Sequence, residues 1–223
     1  MLVIGASGYI GRNLALAKSP ASVLGSSSTE DEFVSDVESA DVVVHLAARQ
    51  RGHDAAISAN LDLTRRVVDL MESSPGPPKR LVFASSIHAG SNSVFGKTKL
   101  SEEEYIRSHL SRCSYAIIRI PHTYGPFAKP HYNSVFATFA TAVWHNTELR
   151  IAQPRSEVSF LGVHAVVDAI LTACGREGNG LETLIANETI GLIDLCRDMK
   201  RVADGLLAEQ MSAAMTSAFL SYR

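Results

Sequence analysis

Apolar residues arrive along this chain in short unbroken runs, separated by stretches where they recur every third or fourth position. Leu2-Val-Ile4 runs straight into Gly5-Ala-Ser-Gly8-Tyr-Ile-Gly11, and residues 8–18 then carry a helical pattern that Ser19-Pro20 stops. A short strand is expected over 21–24 and a brief helix around Glu30–Glu38. Asp41-Val-Val-Val-His-Leu-Ala47 reads as a buried strand. Residues 60–71 read as a helix broken by Ser73-Ser-Pro-Gly-Pro-Pro78. Leu81–Ser85 is the next strand, 97–110 the next helix, and Tyr115–Ile120 a strand ended by Pro121. Strands alternating with helices predict a parallel sheet covered on both faces, an α/β, Rossmann-like doubly wound architecture.

Past Pro121 the rhythm changes. Thr123–Tyr132 reads as a loop, followed by a helical stretch through Trp144, short strands near 149–152 and 156–161, and a helix over 163–174. A strand is expected at Leu184-Ile-Ala186 and two closing helices at 190–203 and 206–219. The expectation is one unit over 1–223, with 1–120 mainly nucleotide-binding. Residues 121–223 are expected to form a small substrate lobe interleaved with the last sheet strands.

Composition narrows the function classes. Apolar residues are 46% and charged residues 20% of 223, the balance of an ordinary globular chain. A net charge of −2 offers no basic footprint for nucleic acid. No apolar run approaches the ~18 residues of a membrane span, and the start has neither the cationic region nor the pattern of a signal peptide. Cys113, Cys174 and Cys196 lie far apart, without metal or redox spacing, and the histidines show no ligand spacing. A cytoplasmic protein with reduced thiols and no metal is expected.

The glycine turn carries the first chemistry. Gly5 permits a tight turn, Gly8 lets the backbone approach a pyrophosphate, and Gly11 lets the helix pack close to the strand. The helix start then offers unpaired N–H groups and a partial positive charge to an anion. The site expected from this stretch comprises Gly5, Ser7, Gly8, Tyr9, Ile10, Gly11 and Arg12. An acid closing the second strand would bond the adenosine ribose 2′-OH and favour NAD(H). That end reads Leu24-Gly-Ser-Ser-Ser28 instead, so Arg12 and Ser26 are expected to meet a 2′-phosphate, favouring NADP(H) over NAD(H).

The G-x-x-G-x-x-G spacing, with landmarks further along, resembles the extended short-chain dehydrogenase/reductases, a group of nucleotide-sugar epimerases, dehydratases and reductases. His45-Leu-Ala-Ala48 is similar to the strand whose end lines the cofactor, which would add Leu46, Ala47 and Ala48 to the site. Asn60 falls where the family has an asparagine that holds the active-site geometry. Ala84-Ser85-Ser86 resembles the strand carrying the catalytic hydroxyl, with Ser86 in its slot and Ser85 beside the cofactor. Gly96-Lys-Thr-Lys99 resembles the end of Tyr-Gly-x-Ser-Lys, and Arg119-Ile-Pro-His-Thr-Tyr-Gly-Pro126 resembles Arg-x-x-Asn-x-Tyr-Gly-Pro, placing Pro121 against the cofactor. A narrower resemblance, carried by Ala84-Ser-Ser-Ile-His88, Lys129-Pro-His-Tyr-Asn-Ser-Val135 and Leu220-Ser-Tyr222, is to the reductase domain of CapF-type capsular-polysaccharide proteins. Those reduce a 4-keto UDP-amino sugar with NADPH and carry a cupin domain that would begin where this chain stops.

The resemblance implies that Lys99 orders the nicotinamide ribose and Ser86 the sugar carbonyl. It also implies that a UDP-sugar meets Ser86, His88, His122, Lys129 and Asn133, and that the chain dimerises through the helices after His45 and around Lys99. The tyrosine position is Phe95, which has no proton to give. His88, His122 and Tyr124 are the substitute acids within reach of the motif. Phe95, with His122 in an asparagine slot and Ala165-Val166 in place of an acidic pair, leaves a second reading open: a dinucleotide-binding protein without turnover, acting as a regulatory or partner subunit. Glu102, Glu103 and Glu104 are read as a solvated helix start.

Overall fold

The computed structural model describes residues 1–20, 22–24, 29–149, 151 and 155–223. In the first half, β1 (Leu2–Ile4), α1 (Tyr9–Ala17), β2 (Ser22–Leu24), α2 (Glu30–Ser39), β3 (Val42–His45), α3 (Asp54–Ser73), β4 (Arg80–Ser86), α4 (Val94–His109) and β5 (Ser114–Ile120) alternate as the pattern predicts. In the second half come β6 (His122–Tyr124), α5 (Val135–Trp144), β7 (Glu157–Gly162), α6 (Val163–Gly175), β8 (Gly180–Thr183), β9 (Glu188–Gly191), α7 (Leu192–Ala203) and α8 (Ala213–Leu220).

Six strands form a sheet in the order β2-β1-β3-β4-β5-β8, every pair parallel. The chain leaves β1 to one side for β2, then returns to the other side of β1 for β3. The strand order therefore reverses at β1, and the glycine turn sits at its carboxyl end, where such sheets open a crevice. A second, mixed sheet runs β6-β7-β9, with β6 parallel and β9 antiparallel to β7.

The chain divides into two compact units. The first holds Met1–Ile120 and Val167–Leu184, the second Pro121–Val166 and Ile185–Arg223. In the first, Leu2, Ile4, Val43, Leu81, Phe83 and Ile117 of the strands pack with Phe33 and Val37 of α2, Val67, Val68 and Met71 of α3, and Ile106 of α4. Arg80 pins the amino-terminal edge of this sheet. Its Nε donates to the Ala173 carbonyl at 2.6 Å and its Nη1 to Ser114 Oγ at 2.9 Å and the Gly178 carbonyl at 2.8 Å. In the second unit Phe136, Phe139, Phe160, Ile190, Leu195, Met199, Met215 and Phe219 make a separate core. There Trp144 stacks on Phe219 at 4.8 Å, and buried Asp198 accepts from the backbone N–H groups of Glu209, Gln210 and Met211 at 2.6–3.0 Å. No helix among the described residues is long and apolar enough to cross a membrane.

Several boundaries differ from the pattern, each for a local reason. α3 begins six residues before Asn60, because His53 Nδ1 accepts from Ala56 N and starts the helix there. α4 begins at Val94 on Ser93, whose Oγ accepts from Gly96 N at 3.0 Å, so Phe95 and Gly96 lie inside the helix. β6 occupies a stretch read as loop. The strand expected at 184–186 lies instead at β8, an edge strand whose four residues are all exposed. α8 is shorter than expected, starting at Ala213 after the segment that Asp198 holds. Leu149 and Ile151 are not in a strand, and 150 and 152–154 lie outside the described residues.

Candidate functional site

The first unit gathers the glycine turn, the segment after β3, the end of β4 and the start of α4. Gly5 has φ +91°, and a Cβ there would stand 2.6 Å from the Ala47 nitrogen and 2.8 Å from its Cα. Only glycine therefore lets the turn lie against the chain leaving β3. At Gly11 a Cβ would meet the Gly5 carbonyl at 2.4 Å and Ala6 Cα at 2.6 Å, so this glycine seats α1 on the turn. Gly8 differs: its φ is −75°, and the only atom near a Cβ would be the Gly5 oxygen at 3.2 Å. The turn is tied down by Gly5 N donating to the Leu24 carbonyl at 3.1 Å and Leu46 N to that of Ile4 at 2.9 Å.

The α1 start is chemically incomplete. α2, α3, α4, α5 and α8 each begin on a side chain that accepts a first-turn N–H. α1 begins on Gly8 with no side-chain cap and no acid in its first turn. A helix start of this kind, with its partial positive charge and no acid beside it, is one that suits an anion. Ser7 and Arg12 are exposed beside it and Ile10 is half-buried, whereas the Tyr9 ring is buried. Ser26 lies outside the described residues.

Asn60, 6% exposed, accepts from Arg49 N and donates to the Arg49 carbonyl, both at 2.8 Å. Its amide therefore fixes the loop that continues from Leu46, Ala47 and Ala48. Ser85 is buried and donates to Glu103 at 2.5 Å. Ser86, at the end of β4, is half-buried and its Oγ accepts from the backbone N–H of His88 at 3.2 Å. Gly96 keeps that segment close to α4, since a Cβ on it would stand 2.1 Å from Ser91 Oγ and 2.4 Å from the His88 carbonyl.

Lys99 is 2% exposed. Its Nζ donates to the Ala84 carbonyl at 3.1 Å, pairs with Glu102 Oε2 at 3.1 Å, and lies 4.4 Å from the Phe83 ring centre and 5.9 Å from that of Phe95. An ammonium has three N–H groups, and the third has no partner among the described residues. Behind the pair, Glu102 Oε1 accepts from Thr64 Oγ1 at 2.7 Å, and Thr64 Oγ1 lies 3.1 Å from His45 Nε2. The Thr64 hydroxyl spends its one proton on the carboxylate, so toward His45 it only accepts. His45 therefore carries its proton on Nε2 and presents a bare Nδ1. Burial, aided by the Lys99 charge, pushes the His45 pKa down to about 3, so the ring is neutral.

These contacts correct the reading of the acidic triplet. Only Glu104 is exposed; Glu102 and Glu103 are fully buried in the middle of α4. Glu103 accepts from two of the three guanidinium nitrogens of Arg119, Nε at 2.9 Å and Nη2 at 2.7 Å, and from Ser85 Oγ.

In the second unit Pro121 is buried, while His122 is half-buried with its ring edge-on to Phe160 at 6.3 Å. Lys129 is exposed. Asn133 accepts from Lys129 N at 2.8 Å, so its carbonyl oxygen closes that loop. Tyr124 leaves the set of substitute acids: it is buried and donates to Glu188, and burial with that carboxylate pushes its phenol pKa far up. His88 and His122 remain.

A family model described as the NAD dependent epimerase/dehydratase family matches residues 1–186. A UDP-2-acetamido-2,6-beta-L-arabino-hexul-4-ose reductase of Pseudomonas aeruginosa is 24% identical over 240 residues, covering all of this chain. The chain spans 64% of that relative's length. Among solved structures, the capsular polysaccharide assembling protein CapF of Staphylococcus aureus superposes with a TM-score of 0.77 at 24% identity, over 99% of this chain and 64% of that one. A UDP-N-acetylglucosamine 4-epimerase of Bacillus cereus gives 0.78 at 18% identity, over 99% of this chain and 94% of that one.

Proposed function

We infer that this chain, which belongs to the NAD-dependent epimerase/dehydratase family, is a dinucleotide-dependent reductase of a 4-keto UDP-sugar in polysaccharide biosynthesis. The observation that carries the reading is the uncapped α1 start at Gly8, the one first-unit helix start without a side-chain cap or a first-turn acid, at the switch point of a parallel sheet. The substrate class follows from the P. aeruginosa relative, whose name is that of a UDP-sugar 4-ketose reductase.

When bound, a reduced nicotinamide supplies a hydride to the carbonyl carbon, and the carbonyl oxygen must take up a proton. In this reading Gly8 and the first-turn N–H groups hold the pyrophosphate. Arg12 meets a 2′-phosphate, which favours NADP(H). The third N–H of Lys99 serves the nicotinamide ribose, and Ser86 Oγ orients the carbonyl. Phe95 gives no proton, so the acid comes from elsewhere. His88 is the candidate nearest in the chain to Ser86, with its N–H already on the Ser86 oxygen. His122, Lys129 and Asn133 belong to the substrate lobe in this reading, which also includes a homodimer through α3 and α4.

Phe95 favours one rival, a dinucleotide-binding subunit without turnover. Losing a general acid removes a factor of about 10²–10⁴ from catalysis. Calorimetric titration with NADPH and NADH, followed by NADPH consumption on a 4-keto UDP-sugar by wild type and Phe95→Tyr, separates the readings. Micromolar NADPH binding, NADH at least about tenfold weaker, and turnover raised in Phe95→Tyr are expected. Binding without turnover in either protein selects the rival. No binding of either dinucleotide overturns both.

A further inference from the structure

We propose that Glu102 is a positioning residue for Lys99, fixing the place of the ammonium through a buried relay anchored at His45. This rests on the reading of Lys99 as the group that meets the nicotinamide ribose.

Four side chains from three elements line up without a gap: His45 of β3, Thr64 of α3, and Glu102 and Lys99 of α4. All four are buried, at 1%, 0%, 0% and 2% exposure. A carboxylate out of water must be paired and bonded, and Glu102 is paired on one oxygen and bonded on the other. The direction of the relay is fixed by proton bookkeeping: Nε2–H of His45 to Thr64, Thr64 O–H to Glu102, and Glu102 to the ammonium. Because His45 stays neutral, it acts as an anchor that orients Thr64 rather than as a proton source.

The consequence concerns Lys99. In its surroundings Phe83 and Phe95 offer ring faces and Ala84 a carbonyl; Glu102 is the one carboxylate paired with it among the described residues. His45 faces the same network uncharged. A buried charge must be paired, so the carboxylate is what lets the ammonium sit out of water here and what aims Nζ. With a phenylalanine where the family pattern has a tyrosine, Lys99 has no phenol to act through. Its remaining task is to hold a ligand hydroxyl with its third N–H, and the quality of that contact is set by Glu102. The Glu103–Ser85–Arg119 cluster one residue on does a separate job, tying α4 to β4 and β5.

The test compares Glu102→Gln, Glu102→Asp and Thr64→Val with wild type, after thermal melts establish which variants fold. Two ligands are titrated by calorimetry: NADPH, and adenosine 2′,5′-bisphosphate, which lacks the nicotinamide ribose. In Glu102→Gln, NADPH binding is expected to weaken about tenfold while the bisphosphate is unchanged. Glu102→Asp should recover part of the loss, and Thr64→Val should show a smaller form of it. Equal weakening of both ligands, or an unaltered NADPH affinity, overturns the proposal.

Should wild type bind neither ligand, the functional reading fails and a second readout decides this one. The two Hε resonances of Lys99, in protein labelled at lysine Cε and assigned with Lys99→Met, are compared between wild type and variant. Two resolved resonances in wild type that collapse to one averaged position in Glu102→Gln, as expected of a side chain no longer held, support the positioning role, and two resonances retained in the variant refute it. If Glu102→Gln does not fold, Thr64→Val carries both measurements.

Discussion

Gly8 and Gly11 stand three residues apart in one turn, yet alanine at each should fail in a different way. At Gly11 the added methyl would stand 2.4 Å from the Gly5 carbonyl oxygen, 2.6 Å from Ala6 Cα and 2.8 Å from Ala6 carbonyl carbon. All three are backbone atoms, so the turn itself must move, and overpacking against rigid backbone costs about 1–3 kcal/mol or more. At Gly8 the backbone already has an angle that any residue adopts, and the one neighbour lies at 3.2 Å. A shift of a few tenths of an ångström accommodates the methyl, and exchanging glycine for alanine at a helix cap adds about 0.5 kcal/mol. In the proposed function, however, the methyl would occupy the face through which a pyrophosphate reaches the first-turn N–H groups. Urea unfolding and NADPH titration on the same preparations read both quantities. Gly8→Ala should unfold within about 1 kcal/mol of wild type yet bind NADPH at least about tenfold more weakly. Gly11→Ala should lose about 1–3 kcal/mol of stability along with binding. If Gly8→Ala kept full NADPH affinity, the phosphate would not lie on that face and the argument from the uncapped helix would fall.

Two further outcomes follow from groups away from the turn. His45 is neutral in the fold with its pKa lowered to about 3, and returns to about 6.5 on unfolding. The unfolded chain therefore binds the extra proton: this contribution is fully present above pH 6.5 and is lost as pH falls toward 3, at up to about 1.4 kcal/mol per pH unit. Urea midpoints between pH 7 and pH 4.5 should fall less steeply in His45→Gln than in wild type, and parallel slopes would refute the assignment. Arg80→Met removes three donor contacts, leaving the Ala173 and Gly178 carbonyls without that partner. A loss of about 2–4 kcal/mol is expected, with faster amide exchange around 173–181; a change below about 0.5 kcal/mol would show that water replaces the guanidinium at no cost.

The glycine turn was legible because the close approach to Ala47 at Gly5 and the close seating of α1 at Gly11 demand bare backbone, and glycine writes backbone demands directly into sequence. The buried strands around Val43, Leu81 and Ile117 were legible for a similar reason, since strands covered on both faces are apolar without interruption. β8 was not, because an exposed edge strand of Gly180, Leu181, Glu182 and Thr183 buries nothing that would mark it; the apolar run at Leu184 drew the assignment onward. Glu102 and Glu103 misled because three consecutive acids look like a solvated face. What buries them is a set of partners spread from His45 to Arg119 in the sequence, brought together only by the sheet. The three-residue spacing between Lys99 and Glu102 was the one local trace of that pairing. Tyr124 looked like a spare acid because its partner, Glu188, lies 64 positions away.

Under the proposed function, the start of α1 without a side-chain cap would tie folding to metabolism. Most helices of this chain carry their own first-turn acceptor, so their ends are as stable as the polypeptide makes them. In the proposed function α1 takes its acceptor from solution, and a ligand bound there would add to the stability of the folded state by mass action, about 2.7 kcal/mol at a hundredfold excess over its dissociation constant. The protein's resistance to heat and proteolysis would then rise and fall with the cell's dinucleotide pool, whether or not any sugar is turned over.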